Sequence, residues 1–329
     1  MQTMSERIKD ITNNDPIQYE AYQQIHHFVQ KKLLSKKETA FKSDHIDLIA
    51  MCTFATFKYL STYYNNVNSS YKNLQTFLNL LNDRINSIQF EKMSQDRKGI
   101  YYPRMYTIGI ADRLYSLSGD NTVFLIHTVT HELLHAITPY NLLSSNSKQA
   151  HIPECLNKFF SFIFYEKYYL LMEYVNEQIT INIGIKYFNF PLYNHTLYIV
   201  DSKNDEKSIH YQNYAHDYSV LIACNELFNY IFADKLEIAH LSPRINIGDI
   251  IKEQNLKKWQ KHLIHFLRTY KKLYSDYSKF QIKRKRYNAF VNACQKMIKE
   301  YILTKNLSPE KAREFEYIAT NTPVLYLYE

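Results

Sequence analysis

Five consecutive residues, His131-Glu132-Leu133-Leu134-His135, combine two metal-binding side chains with a proton acceptor at helical spacing. Residues four apart lie on one face of a helix, so both imidazoles can reach a single ion at about 2.0–2.1 Å. Glu132, adjacent to one of them, can touch a water held by that ion without ligating it, and can take the proton as the water attacks a carbonyl. Leu133, Leu134 and Ile137 supply apolar faces, as expected of a buried helix. His127 stands another four residues upstream. A third imidazole one turn further along a straight helix is too far from an ion held by the other two, which leaves it a packing role or a role in orienting a ligand.

The pair needs a third ligand. The stretch HELLHAITPY resembles the active-site helix of thermolysin and its relatives, whose pattern is HELTHAVTDY, and Val-Asn-Glu-Gln-Ile-Thr (175–180) resembles their INEAIS. The resemblance covers some sixteen residues and implies a glutamate zincin: a zinc peptidase with Zn²⁺ on His131, His135 and Glu177, and Glu132 as catalytic base. The chain departs from that family in three ways. The gap from His135 to Glu177 is 42 residues, about twice the family spacing, which implies an inserted loop. The family's acidic residue four beyond the ligand, which orients a zinc histidine, is here Ile181. The metzincin extension HExxHxxGxxH is absent, because Thr138 and Asn141 hold its Gly and His positions.

Helical geometry leaves the third ligand open. Glu166, Glu173 and Glu177 fall near one face of a helix, since eleven residues leave about 20° of mismatch and four leave about 40°. A carboxylate among Ile163, Leu170, Tyr174 and Ile181 is costly to bury unpaired, so at least one of them should face the metal. Glu173, Glu166, Glu154 and His151 therefore stand as alternatives to Glu177. For the donor to a developing oxyanion, His216 in AHDYSVLI has an HxxS arrangement resembling that around the transition-state histidine of thermolysin, and Arg284 with Tyr287 is similar to the RxxY pair of clostridial neurotoxin light chains.

The elements around these residues read as mostly helical. Only five glycines occur, and apolar residues recur at helical spacing near 17–34, 45–64 and 71–88. Ile100 to Ile110, rich in Tyr and Ile and carrying Pro103, suits an edge strand that an extended peptide could join. The motif helix follows SGDN, with Asn121 or Thr122 as N-cap, and Pro139 ends it. Pro153 opens a long apolar helix to about Tyr187, residues 195–201 read as a short strand, and helices resume near 212–233, 251–274, 280–303 and 308–318. The expected fold is α+β and predominantly α-helical, a two-lobed zincin-like architecture with a small sheet before the motif helix. Residues 1–150 would form the N-terminal lobe and residues 151–329 a helical C-terminal lobe.

Composition narrows partners and setting. The net charge of +8 is concentrated between Lys252 and Lys305, where 15 basic side chains face 3 acidic ones. Such a segment suits an acidic protein, an anionic surface or nucleic acid. Its aromatics, Trp259, Phe266, Tyr270, Tyr274, Tyr277 and Phe280, recur mostly at three or four residues, the pattern of a core stripe more than of a base-stacking platform. Glu166, Lys167 and Glu173 interrupt the most apolar stretch, Phe159 to Val175, so no membrane span is expected. The four cysteines form no CxxC pair and read as buried thiols. MQTMSERIKD lacks the pattern of a secretory signal, which suggests the cytoplasm or delivery into another cell by a signal-independent route. Glu310, Glu314 and Glu316 resemble the acidic cluster of some type IV secretion signals. The expected function is zinc-dependent hydrolysis of a protein or peptide. The alternative is a non-enzymatic interaction protein whose basic C-terminal lobe binds an acidic partner or nucleic acid.

Overall fold

The computed structural model describes residues 3–33, 41–94, 97–117, 120–138, 171–188, 225–242, 245, 247–254, 256–277 and 284–320. They are predominantly helical, with one three-stranded sheet. Contacts divide the chain into two units: one of Met1–Glu154, Asn176–Pro191 and Leu241–Pro243, the other of Cys155–Val175, Leu192–His240 and Arg244–Glu329.

The first unit begins with α1 (Met4–Ile11), α2 (Pro16–Lys32), α3 (Ser43–Tyr63) and α4 (Leu74–Arg84). Their starts are written in the sequence. Thr3 and Glu6 form a capping box, Asp15 caps α2 with Pro16 in its first turn, and the Asn73 side chain accepts from the N–H of Thr76. The middle of α3, from Leu48 to Thr56, is buried all round, which makes this helix the axis of the unit. It packs against α2 on one side and the motif helix α5 (Asp120–Ile137) on another. Cys52 on α3 is buried, carries no disulfide, and its thiol lies 3.7 Å from the Ile126 carbonyl of α5.

The sheet consists of β1 (Ser87–Glu91), β2 (Gly99–Tyr102) and β3 (Thr107–Ala111) in the order β1-β3-β2. β1 runs parallel to β3 and β2 antiparallel to it. Two expectations are corrected here. The helix expected to run to residue 88 stops at Arg84, because Ile85 turns to extended backbone and Ser87 to Glu91 pair with β3. The single strand expected over Ile100–Ile110 is a hairpin. Pro103 opens its turn, where a fixed φ and a missing N–H do no harm, and Tyr106 closes it at φ 53.

β2 is the outer strand, and Leu33 bridges to Ile88 on the opposite edge of the sheet. The Ala111 N–H donates to the Lys98 carbonyl at 2.8 Å. Bonded pairs alternate along an antiparallel ladder, so Ile100 and Tyr102 bond to β3, whereas Gly99 and Tyr101 turn their N–H and C=O to the outer edge. α5 packs on β2 and β3.

A further helix, α6, runs unbroken over residues 171–188, and every residue from Leu171 to Ile181 is buried. The polar side chains in that stretch, Glu173, Asn176, Glu177, Gln178 and Thr180, are thus held out of water. Its residues from Asn176 onward belong to the first unit.

The second unit contains α7 (Asn225–Phe232), most of α8 (Lys235–Leu241), α9 (Ile247–Glu253), α10 (Lys257–Tyr277), α11 (Arg284–Lys305) and α12 (Pro309–Thr320). Its core is aromatic. Trp259 packs against Phe232 and Tyr301, and Phe290 against Phe266 and Tyr270. These rings face inward, while Lys257, Lys261, His265, Arg268 and Lys272 form an exposed basic stripe on the other face of α10. The segment expected as one helix over 251–274 is broken into α9 and α10. Among the described residues no helix is long and apolar enough to cross a membrane.

Candidate metal centre

α5 presents His127, His131 and His135 as a stripe, one turn apart, against α6. The Asn176 side-chain amide donates to the His131 carbonyl at 3.1 Å, which pins the two helices together at the motif. His131 and Glu132 are buried, and His135 is partly exposed. The Nε2 atoms of His131 and His135 converge to 3.0 Å, their ring planes inclined at 76°.

One carboxylate joins them. Ligand atoms of His131, His135 and Glu173 all lie within 4.8 Å of one another. Donors around a tetrahedral ion at ~2.0–2.1 Å stand about 3.4 Å apart, so small side-chain movements would close this group on a metal. The chemistry of the set agrees with the geometry. Two imidazoles and one carboxylate are a donor set that divalent transition metals accept, and His131 and Glu173 are both buried. The buried His131–His135–Glu173 group could therefore hold a metal ion.

Glu177, the residue implied by the resemblance, stands elsewhere. Its Oε1 is 2.8 Å from His127 Nε2, and its Oε2 is 3.0 Å from His131 Nδ1. That second nitrogen is on the side of the His131 ring away from His135. Burial by itself would push the Glu177 carboxyl upward, but the charge and hydrogen bond of His127, with the charge of His131, outweigh it and hold the group well below the ordinary carboxylate range. Glu177 is thus an ionised carboxylate gripped by two rings of the same helix. Of the residues singled out in the sequence, His131 and His135 come together with Glu173, and Glu177 buttresses His131 from behind. The spacing that could have found this is the ExxxE of Glu173 and Glu177, facing the HxxxH of α5 turn for turn.

Glu132 sits where the motif helix meets the sheet. A side-chain Cβ at Gly99 would stand 3.0 Å from Glu132 Oε1, so the outer strand passes in contact with this carboxylate. Glycine at 99 was not singled out in the sequence, although a strand glycine is a signal of close approach. His216 lies outside the described residues, as do His151, Glu154 and Glu166. Arg284 and Tyr287 open α11, and their side chains are not among those described.

No protein-family model matches the chain, and neither a curated protein nor a solved structure matches it. Function has to be read from the residues themselves.

Proposed function

We propose that this protein is a zinc-dependent metallopeptidase of the glutamate-zincin kind, with His131, His135 and Glu173 as metal ligands and Glu132 as the catalytic base. The observation that carries the reading is the convergence of those three ligand side chains beside a helical Glu that lines the outer strand of a sheet. Two imidazole nitrogens and one carboxylate oxygen form the donor set of a catalytic zinc site, which keeps a fourth position open. Zinc bound there would supply Lewis acidity for a substrate carbonyl and acidify a water.

The chain's own residues have defined tasks. Glu132 accepts a proton from the attacking water and returns it to the leaving amine. The outward N–H and C=O groups of Gly99 and Tyr101 can receive an extended peptide as an added strand, which would lay a scissile bond alongside Glu132. Glu177 holds the proton of His131 on Nδ1 and leaves Nε2 as the ligand atom. Taking Glu173 as ligand also supplies the acidic residue four positions on that the thermolysin-like pattern calls for, since that position is then Glu177. The two-lobed zincin arrangement belongs to this proposal.

The exposed basic stripe of α10 favours a second reading, an interaction protein that binds an acidic partner. Zinc content separates the two. Purified protein should hold about one zinc per chain. New protein termini should appear in a lysate treated with the wild type and not with Glu132→Gln. A folded protein that takes up no zinc after reconstitution would remove the peptidase reading.

A further inference from the structure

His127 is outside the group of converging ligand atoms, yet it is built into the same constellation. Its ring stacks on that of His131, with centroids 6.1 Å apart and planes 18° from parallel. Its Nε2 meets one oxygen of Glu177 at 2.8 Å, while the other oxygen meets His131 Nδ1 at 3.0 Å. His127 is hydrogen-bonded to the carboxylate, whereas His131 Nδ1 approaches it without a hydrogen bond in this geometry. A carboxylate on that side of the ring favours the His131 tautomer with its proton on Nδ1, which leaves Nε2, the atom facing His135, able to ligate.

One such contact would leave the carboxylate free to turn, because the terminal torsion of a Glu side chain is broad. Two contacts, from rings one helical turn apart on α5, set its plane. The Glu177 side chain is only 2% exposed, so water cannot readily take the place of either ring.

We propose that His127 is a positioning residue of the metal site: acting through Glu177, it holds His131 with its Nε2 aimed at a divalent cation. This rests on the reading of His131 and His135 as ligands. His127 touches neither the ion nor the substrate. Loss of its N–H lets Glu177 rotate, and His131 then samples orientations and a tautomer that cannot ligate.

The test is zinc affinity of the full chain, measured by competition with a chromophoric chelator, together with the visible spectrum of the Co²⁺-substituted protein. His127→Leu keeps bulk and removes the donor. It should weaken zinc binding about 10–100-fold, the usual cost of losing a group that orients a ligand, and should alter the cobalt spectrum. His127→Gln, whose amide can still donate to Glu177, should restore most of the affinity. Should the leucine variant not fold, His127→Asn takes its place, because the shorter amide cannot span the distance. In a Glu177→Gln background, replacing His127 should cost little more, since the pathway is already cut. Wild-type affinity and an unchanged cobalt spectrum in His127→Leu or His127→Asn would overturn the proposal and leave the metal site standing. So would a loss that is fully additive with Glu177→Gln. A wild-type chain that binds no metal would remove both.

Discussion

Gly99 and Glu132 are packed so closely that a methyl group on the strand residue would stand 3.0 Å from the carboxylate oxygen of the helix residue. The same methyl would press harder still on Thr128, one turn earlier on α5. Neither neighbour is the free end of an exposed chain, so the strain cannot simply swing away into solvent. Gly99→Ala should therefore destabilise the protein by about 1–3 kcal/mol, the usual cost of overpacking a well-filled site. Urea unfolding at neutral pH measures it, and an unchanged midpoint would mean that strand and helix separate easily.

Glu132→Gln preserves size and one acceptor oxygen while removing the proton acceptor. Zinc stoichiometry and thermal stability should stay at wild-type values, and peptide hydrolysis should fall by about 10²–10⁴-fold, the range for general acid–base catalysis. Metal loss in this variant would instead make Glu132 a ligand or a support for one.

His45 predicts an acid-sensitive stability unconnected with the metal. Its Nδ1 accepts from the Lys42 N–H at 3.1 Å, and its Nε2 faces the Tyr115 carbonyl at 2.8 Å, so the fold specifies the neutral ring with its proton on Nε2. Burial lowers its pKa, the bond to Tyr115 opposes that in part, and the nearby Lys42 adds to it. A histidine with a lowered folded pKa takes up its proton first in the unfolded chain. Its contribution is complete above the ordinary value near 6.5 and is lost as the pH falls from there through the folded pKa. Unfolding free energy should decline from about pH 6.5 downward, and His45→Gln should show a shallower decline, by at most about 1.4 kcal/mol per pH unit. Parallel pH profiles would rule this out.

What the sequence made legible follows from how local each signal is. The i, i+4 pairing of His131 and His135 depends only on helix geometry, and the apolar rhythm of α2 and α3 only on which face is buried, so both could be read in advance. Ile100–Ile110 misled because its Tyr and Ile content suits a strand on either side of Pro103, and the fold uses both sides. The end of α4 was hidden for a related reason: Leu81, Ile85 and Ile88 keep helical spacing, while Ile88 and Phe90 alternate as β1 requires. The choice between Glu173 and Glu177 was beyond any local rule. They differ by only about 40° around α6, and what selects one over the other is the register of α6 on α5, fixed by Asn176 reaching the His131 carbonyl.

That register yields a test of ligand identity. Glu173→Gln should abolish tight zinc binding, because a neutral amide replaces the carboxylate that lies with the two imidazoles. Glu177→Gln should retain zinc with affinity lowered about 10–100-fold. The amide accepts on one side and donates on the other, whereas the Glu177 carboxylate presents an acceptor oxygen to each of the two rings. If the amide N–H faces His131, that ring must move its proton to Nε2 and cease to ligate. If it faces His127, the His131 contact survives and only the clamp is lost. A mixture of the two gives a weakened site. Zinc titration of both variants at equal stability distinguishes the roles: the larger loss should belong to Glu173, and the reverse ranking would return the ligand position to Glu177.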